Sequence, residues 1–333
     1  MRLSVLDQTP VAAGMCRAQA LANTLDLARL ADRLGYHRFW LAEHHASAAL
    51  AGAAPEILIA AVAAATSRIR VGSGGIMLPH YSPLKVAEVF STLAALYPGR
   101  IDLGLGRAPG SDQRTAVALQ RDRRELAPND FPNQLAELLA YLHDSFDAAH
   151  PFAALAGTLP GGDACPELWL LGSSPDSAAW AAETGLPYCF ADFINSSGAS
   201  IAAGYRAGFE PSAASKPYTM VALWTVCADT DAEAARLATS AQMMLAHLLR
   251  GQSIAVPSPE TATAWLAANP ASTRAGRRII AGSPATVRDG IEAAAAEYGA
   301  DEVMLVNILY DHGARRRSYE LVAEAFAPLR RAA

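Results

Sequence analysis

The stretch Tyr97–Gly110, YPGRIDLGLGRAPG, decides how the fold is read. A helical pattern over Pro83–Tyr97 stops at Pro98-Gly99, residues that end helices readily. An apolar run of strand length, Ile101–Leu105, follows. The next residues nearly spell the G-x-G-x-x-G dinucleotide fingerprint. Pro109, however, occupies the third glycine position and no helix starts there. The stretch is therefore a helix end, a short strand and a glycine-rich strand end that carries one arginine, Arg107.

The same alternation extends in both directions. Strands are expected at Leu3–Leu6, Arg38–Leu41, Ile69–Ser73, Ile101–Leu105, Leu168–Leu171, Tyr188–Ala191, Met220–Cys227 and Val303–Val306. Helical patterns lie between them, including Ala20–Leu34 with its stop at Gly35, Pro132–Phe146, Asp231–Leu249 and Ala314–Leu329. Eight strands, each followed by helical sequence, predict an α/β fold, the (β/α)8 TIM barrel. An open doubly wound sheet fits less well, because the chain has no linker or repeat. Length alone suggests about two domains of roughly 150 residues. One barrel of roughly 250 residues plus insertions accounts better for the pattern, so a single domain over residues 1–333 is expected. The insertions follow strands 4 and 7, at Ala108–Asp130 and Gly251–Gly276, and excess loop of this kind often forms a lid.

Apolar residues make up 52% of the chain and charged residues 18%, which excludes a disordered or fibrous protein. Alanine runs such as Ala293–Ala296, with only 7% aromatics, imply closely packed helices. A net charge of −5 argues against nucleic acid and anionic membrane surfaces as partners. Cys16, Cys165, Cys189 and Cys227 are scattered without metal or disulfide spacing, which favours a reducing cytoplasmic location. Residues 1–8 read as a first strand and not as a signal peptide. The apolar stretch Ala46–Thr66 contains Gly52, Pro55 and Glu56, and reads as a loop and a buried helix, not a membrane span.

In a barrel, chemistry sits at the C-terminal strand ends. After the second strand come Glu43, His44 and His45. Metal binding is the weakest option for them, since adjacent extended residues point opposite ways and no further His or Cys is suitably spaced. Acid–base groups, hydrogen-bond donors and ordinary loop histidines all remain open. After the third strand, Ser73-Gly74-Gly75 allows a flat ligand to lie on bare backbone, or serves barrel closure. Arg107 suits phosphate, or a surface ion pair. After the fifth strand, Gly172-Ser173-Ser174-Pro175-Asp176-Ser177 opens a helix with Ser174 as cap. That N-terminus is an anion site or a plain cap, and strand order makes Arg107 its neighbour. No P-loop, nucleophile elbow or zinc-protease motif occurs, which points to a bound cofactor as the source of reactivity.

On the segments Trp40–His45, Val71–Pro79, Leu93–Gly110 and Trp169–Gly185 the sequence resembles the bacterial luciferase-like flavin monooxygenase family, with a late match at Asp311–Leu321. The resemblance implies a (β/α)8 barrel binding FMN at its C-terminal face. It implies a cis peptide at Gly74-Gly75 against which the flavin ring lies, with Ser73 beside it. It places His44 near the reactive edge; the adjacent Glu43 is expected to orient that histidine. Arg107, Gly172, Ser173, Ser174 and Ser177 match phosphate-binding positions, although Ser173 replaces an acidic residue. Gly106 stands where luciferase carries a cysteine. The implied reaction uses reduced FMN as co-substrate and O2, through a C4a-hydroperoxide, to oxygenate a small organic substrate. The implied partners are a separate NAD(P)H flavin reductase and a second copy of the chain as homodimer. Two other readings are a deazaflavin-dependent dehydrogenase on the same barrel and a non-catalytic flavin-binding protein.

Overall fold

The computed structural model describes residues 1–107, 113–119, 130–212, 216–270 and 277–327. All eight expected strands form: β1 (Arg2–Asp7), β2 (Arg38–Leu41), β3 (Arg70–Ser73), β5 (Ile101–Gly106), β6 (Glu167–Gly172), β7 (Tyr188–Ala191), β8 (Thr219–Cys227) and β10 (Glu302–Val306). They pair in parallel in that order, with Met304 of β10 opposite Ala222 of β8, and β10 also pairs with β1, with Met304 opposite Ser4, which closes the barrel. Two strands are additional. β4 (Ile76–Met77) pairs with β5 just past the Gly74–Gly75 peptide, and β9 (Ile280–Gly282) extends β8 past the rim at Thr225–Cys227.

The helices are α1 (Arg17–Leu34), α2 (Pro55–Ala65), α3 (Pro83–Leu96), α4 (Gln113–Leu119), α5 (Phe131–His143), α6 (Ala153–Ala156), α7 (Pro175–Glu183), α8 (Ala199–Ala207), α9 (Asp231–Leu248), α10 (Pro259–Ala268), α11 (Pro284–Tyr298) and α12 (His312–Ala325). Sequence dictates several of their ends. α1 stops at Gly35, which takes the left-handed conformation that a side chain would disfavour. α7 and α10 start with proline just inside a serine cap. Of the insertion Ala108–Asp130, residues 113–119 form α4, while 108–112 and 120–129 lie outside the described residues. The Gly251–Gly276 insertion is not mere loop: it bridges Val256 to Ala12 and then forms α10, packed on α9, with 271–276 outside the described residues. Among the described residues no helix is long and apolar enough to cross a membrane.

Alternation along the strands sorts side chains into an outer core under the helices and an interior stack. The lower interior is charged and closed. Arg38, 3% exposed, lies 2.9 Å from both Asp102 and Glu167 and 3.3 Å from Glu302, while Ser4 donates to Glu302. Above it stand Leu6, Trp40, Trp169, Met220 and Met304. Trp40 meets Trp169 edge to face at 5.3 Å and donates from Nε1 to Asp102 at 2.8 Å. The upper interior is built from small residues, Ala42 and Ala222, with Gly104 and Gly106 on β5. The barrel interior thus carries bulky side chains below and small ones toward its C-terminal mouth.

Candidate active site

The chain leaving β2 continues its alternation past the last strand pair. This places His44 on the side of Trp40 and Ala42, and turns Glu43 and His45 the other way. Glu43 is fully buried, and its carboxylate is saturated by the fold. Oε1 faces His45 Nε2 at 2.7 Å and accepts from the Tyr81 hydroxyl at 3.1 Å, while Oε2 accepts from the Met77 backbone N–H at 2.9 Å. Contrary to the expectation from sequence, Glu43 therefore does not orient His44; it holds His45 and fastens β4 to the end of β2. Burial, then the Glu43 charge, pushes the Tyr81 phenol up. Glu56, at the start of α2, is raised chiefly by burial and also by Glu43.

His44 is held by its backbone, whose N–H donates to Gly52 O at 2.7 Å. Its ring Nδ1 is buried and has no hydrogen-bond partner among the described residues. Burial, and then the neighbouring His45, lowers its pKa to about 4. A histidine in that state is neutral near pH 7 and offers one donor and one acceptor nitrogen, not a charge.

Beside this segment the Gly74–Gly75 peptide is cis, and Gly74 N–H donates to Leu41 O at 2.8 Å. Side chains press against one side of the pair. A Cβ on Gly74 would lie 2.5 Å from Leu6 Cδ1, and one on Gly75 would lie 2.5 Å from Leu171 Cδ1 and 2.8 Å from Gly104 O. Ser73 is not free for a ligand. Its buried hydroxyl donates to Gly104 O at 2.8 Å and accepts from Gly104 N–H at 3.0 Å, so it joins β3 to β5.

At the ends of β5 and β6 the structure brings Arg107 to the first turn of α7. Arg107 lies 3.1 Å from Asp176 and its guanidinium sits 5.2 Å above the Trp180 ring. Ser174 caps the helix through Ser177 N–H at 3.5 Å. The Ser177 hydroxyl turns inward, donating to Ser174 O at 2.8 Å and pairing with Tyr188 OH at 2.9 Å. Ser177 is therefore a structural residue and not a direct phosphate contact through its hydroxyl. Gly172 makes this possible, since a Cβ there would lie 2.2 Å from Ser177 Oγ. Ser173 and Ser174 stay half-buried at the rim, and Ser173 O accepts from Asn195 Nδ2 at 3.1 Å. Tyr81 and Trp180 join the site without a sequence signal, whereas His45 stands among the candidates after the second strand as the partner of Glu43. The i, i+2 spacing of Glu43 and His45 is the legible signal for that pairing.

A filled, closed barrel whose mouth gathers a buried free imidazole nitrogen, bare glycine backbone and an arginine at a helix N-terminus has the architecture of a (β/α)8-barrel enzyme. The chain belongs to the luciferase-like monooxygenase family, whose model matches residues 1–302. It is 43% identical to a luciferase-like monooxygenase of Escherichia coli K12, with 96% of each chain covered. It is 36% identical to the N-acetyl-S-alkylcysteine monooxygenase of Bacillus subtilis, over 99% of this chain and 100% of that one. The crystal structure of apo-MsnO8 superposes with a TM-score of 0.89 at 44% identity, covering 98% of both chains. Two more distant structures share the fold alone. One is the oxygenating constituent of 3,6-diketocamphane monooxygenase from Pseudomonas putida in complex with FMN (TM-score 0.74, 20% identity, 98% of each chain). The other is an F420-dependent secondary alcohol dehydrogenase with an F420–acetone adduct (TM-score 0.67, 16% identity, 97% and 98%). These relatives place the chain among the oxidoreductases.

Proposed function

We propose that this protein is a flavin-dependent monooxygenase that takes reduced FMN and O2 and transfers one oxygen atom to a small organic substrate. The observation that carries the reading is that His44, whose buried Nδ1 is unpartnered among the described residues, follows the end of β2, and that β2 holds the cis Gly74–Gly75 pair through Leu41 O. The residues present fit an FMN. Gly74 and Gly75 offer a surface without side chains to a flat ring. Arg107, Ser173, Ser174 and the N-terminus of α7 offer charge and donors to its phosphate. When bound, the reduced flavin supplies the electrons that activate O2.

The protein's own part is to bind, orient and exclude water. With flavin bound, His44 would serve as a neutral hydrogen-bond partner, since its low pKa removes the imidazolium acid from the range around pH 7. Glu43 is a positioning residue: it fixes the Met77 backbone just past the glycine pair, and His45 just past His44. The segment carrying Val256 and α10 closes over the loops after β1 and β2 and limits solvent at the mouth. A separate NAD(P)H flavin reductase supplies the reduced flavin, and a second copy of the chain packs as a homodimer.

The test supplies reduced FMN from a free reductase and follows O2 uptake against product formation with thioether and ketone substrates. Substrate-dependent incorporation of one oxygen atom supports the reading. Oxidation coupled to reduction of F420, with no O2 consumed, replaces it by the dehydrogenase reading that the F420-dependent fold neighbour represents.

A further inference from the structure

Three buried tryptophans line the barrel interior and its rim, and only two are satisfied by the fold. Trp40 Nε1 donates to Asp102 at 2.8 Å and Trp169 Nε1 donates to Glu167 at 3.0 Å. Trp224, near the end of β8, is 4% exposed, yet its Nε1–H is buried without any partner among the described residues. An indole nitrogen is a donor only, so no tautomer or rotation of its proton relieves the deficit. A donor buried without an acceptor weighs against folding, and native proteins leave few of them outside functional sites.

The position of Trp224 explains the exception. Met220 and Ala222 face the interior stack, and alternation along β8 carries Trp224 to the same side one step nearer the mouth. Around its ring gather Leu50, Met244, Val256 and Ile308, with Phe193 and Tyr310 partly buried against them. These residues come from the connections after β2, β7, β8 and β10, so the cluster belongs to the end of the barrel where those loops converge. Leu50 lies on the loop that also holds His44, through the bond from His44 N–H to Gly52 O. The surroundings are largely apolar and no acceptor among the described residues meets the indole N–H, while the layer below, Ala42 and Ala222, is small.

We propose that Trp224 is the specificity-determining donor of this site. Its ligand is an apolar molecule bearing a carbonyl-type oxygen, the hydrocarbon body resting on the Leu50–Met244–Ile308 cluster and the oxygen accepting from Trp224 Nε1–H. Only the description of that ligand as substrate rests on the monooxygenase reading. A pocket that presents a buried donor discriminates strongly against an isostere lacking the acceptor, because the donor is then left unpaired in the complex.

The test uses two probes of one shape, acetophenone and α-methylstyrene, in which C=O is replaced by C=CH2. Both are titrated into the full-length chain, labelled with 15N at the indole nitrogens, without flavin. Acetophenone should bind about tenfold tighter than α-methylstyrene. The Trp224 indole N–H resonance, identified by its loss in Trp224→Phe, should move downfield with the ketone alone. Trp224→Phe should bring the two affinities together, and if that variant fails to fold, the wild-type affinity ratio and resonance shift still decide. Equal affinities, binding of neither probe, or a preference that survives in Trp224→Phe overturns the proposal. Because no flavin is present, these outcomes are separate from success or failure of the cofactor reading.

Discussion

Arg107 offers the sharpest separation of a cofactor role from a structural one. Its side chain is 35% exposed and its ion-pair partner Asp176 is 59% exposed. Such a pair contributes about 0–1 kcal/mol to stability, and the contact with Trp180 adds roughly 0.5–1 kcal/mol. Arg107→Ala should therefore leave the thermal unfolding midpoint nearly unchanged. A charge-assisted bond to a phosphate contributes more, about 1.5–3 kcal/mol. Part of that gain is offset when Arg107 leaves Asp176. The expected net loss is about 10- to 100-fold in FMN affinity, on the order of 1.4–2.8 kcal/mol. Riboflavin, which has the same ring and no phosphate, should lose less than about threefold, within the value of a surface contact. Asp176→Asn works in the opposite direction: it removes the competing carboxylate and should tighten FMN about two- to fivefold. Flavin fluorescence titrations of the two ligands against wild type and both variants read all three changes. Equal losses for FMN and riboflavin in Arg107→Ala, or weaker FMN binding in Asp176→Asn, would refute the phosphate assignment.

Three further outcomes follow from the same geometry. His44 has a folded pKa near 4 against about 6.5 unfolded, so between those values the unfolded chain takes up a proton that the folded chain refuses. Stability contributed at this site is thus present above pH 6.5 and lost as pH falls toward 4; His44→Asn should flatten the unfolding midpoint across that window, and an unchanged slope counts against the buried neutral imidazole. Glu43→Ala strands the Met77 N–H, the Tyr81 hydroxyl and His45 Nε2, and should cost about 3–5 kcal/mol by urea denaturation, with Glu43→Gln losing less. A loss under about 1 kcal/mol would contradict the positioning role. Gly104→Ala places a Cβ 2.2 Å from Ser73 O and should cost about 3 kcal/mol or more, whereas Gly106→Ala meets only Met77 Sδ at 3.4 Å and should stay within about 1 kcal/mol; equal costs would show that β5 is not packed as described.

The barrel was legible because each of its strands is a short apolar run bounded by helix stops, as at Pro98-Gly99 before β5 and Gly35 before β2. The strands that escaped are too short to carry a period: β4 has two residues and β9 three, and both exist through pairing with a longer neighbour. The helix inside the second insertion did have a signal, Ser258 as cap and Pro259 in the first turn, outweighed by the loop-like composition around it. At the site, residue types were legible but their partners were not. Ser73 and Ser177 look like ligand contacts by letter, yet the fold consumes both hydroxyls, one on Gly104 and one on Ser174 and Tyr188. Glu43 and His44 are neighbours in sequence and back to back in space, a consequence of extended geometry that the letters already contained. The free donor of Trp224 had no sequence signal, because a tryptophan on a strand reads as core until its nitrogen is followed to an acceptor.

Anaerobic equilibrium titration with reduced FMN and with reduced F420, on the purified chain and on Arg107→Ala, measures the identity of the cofactor directly. Saturable binding of reduced FMN that weakens at least about tenfold in Arg107→Ala, with no binding of reduced F420, is the predicted result. Saturable binding of reduced F420 without reduced FMN would contradict the flavin monooxygenase reading.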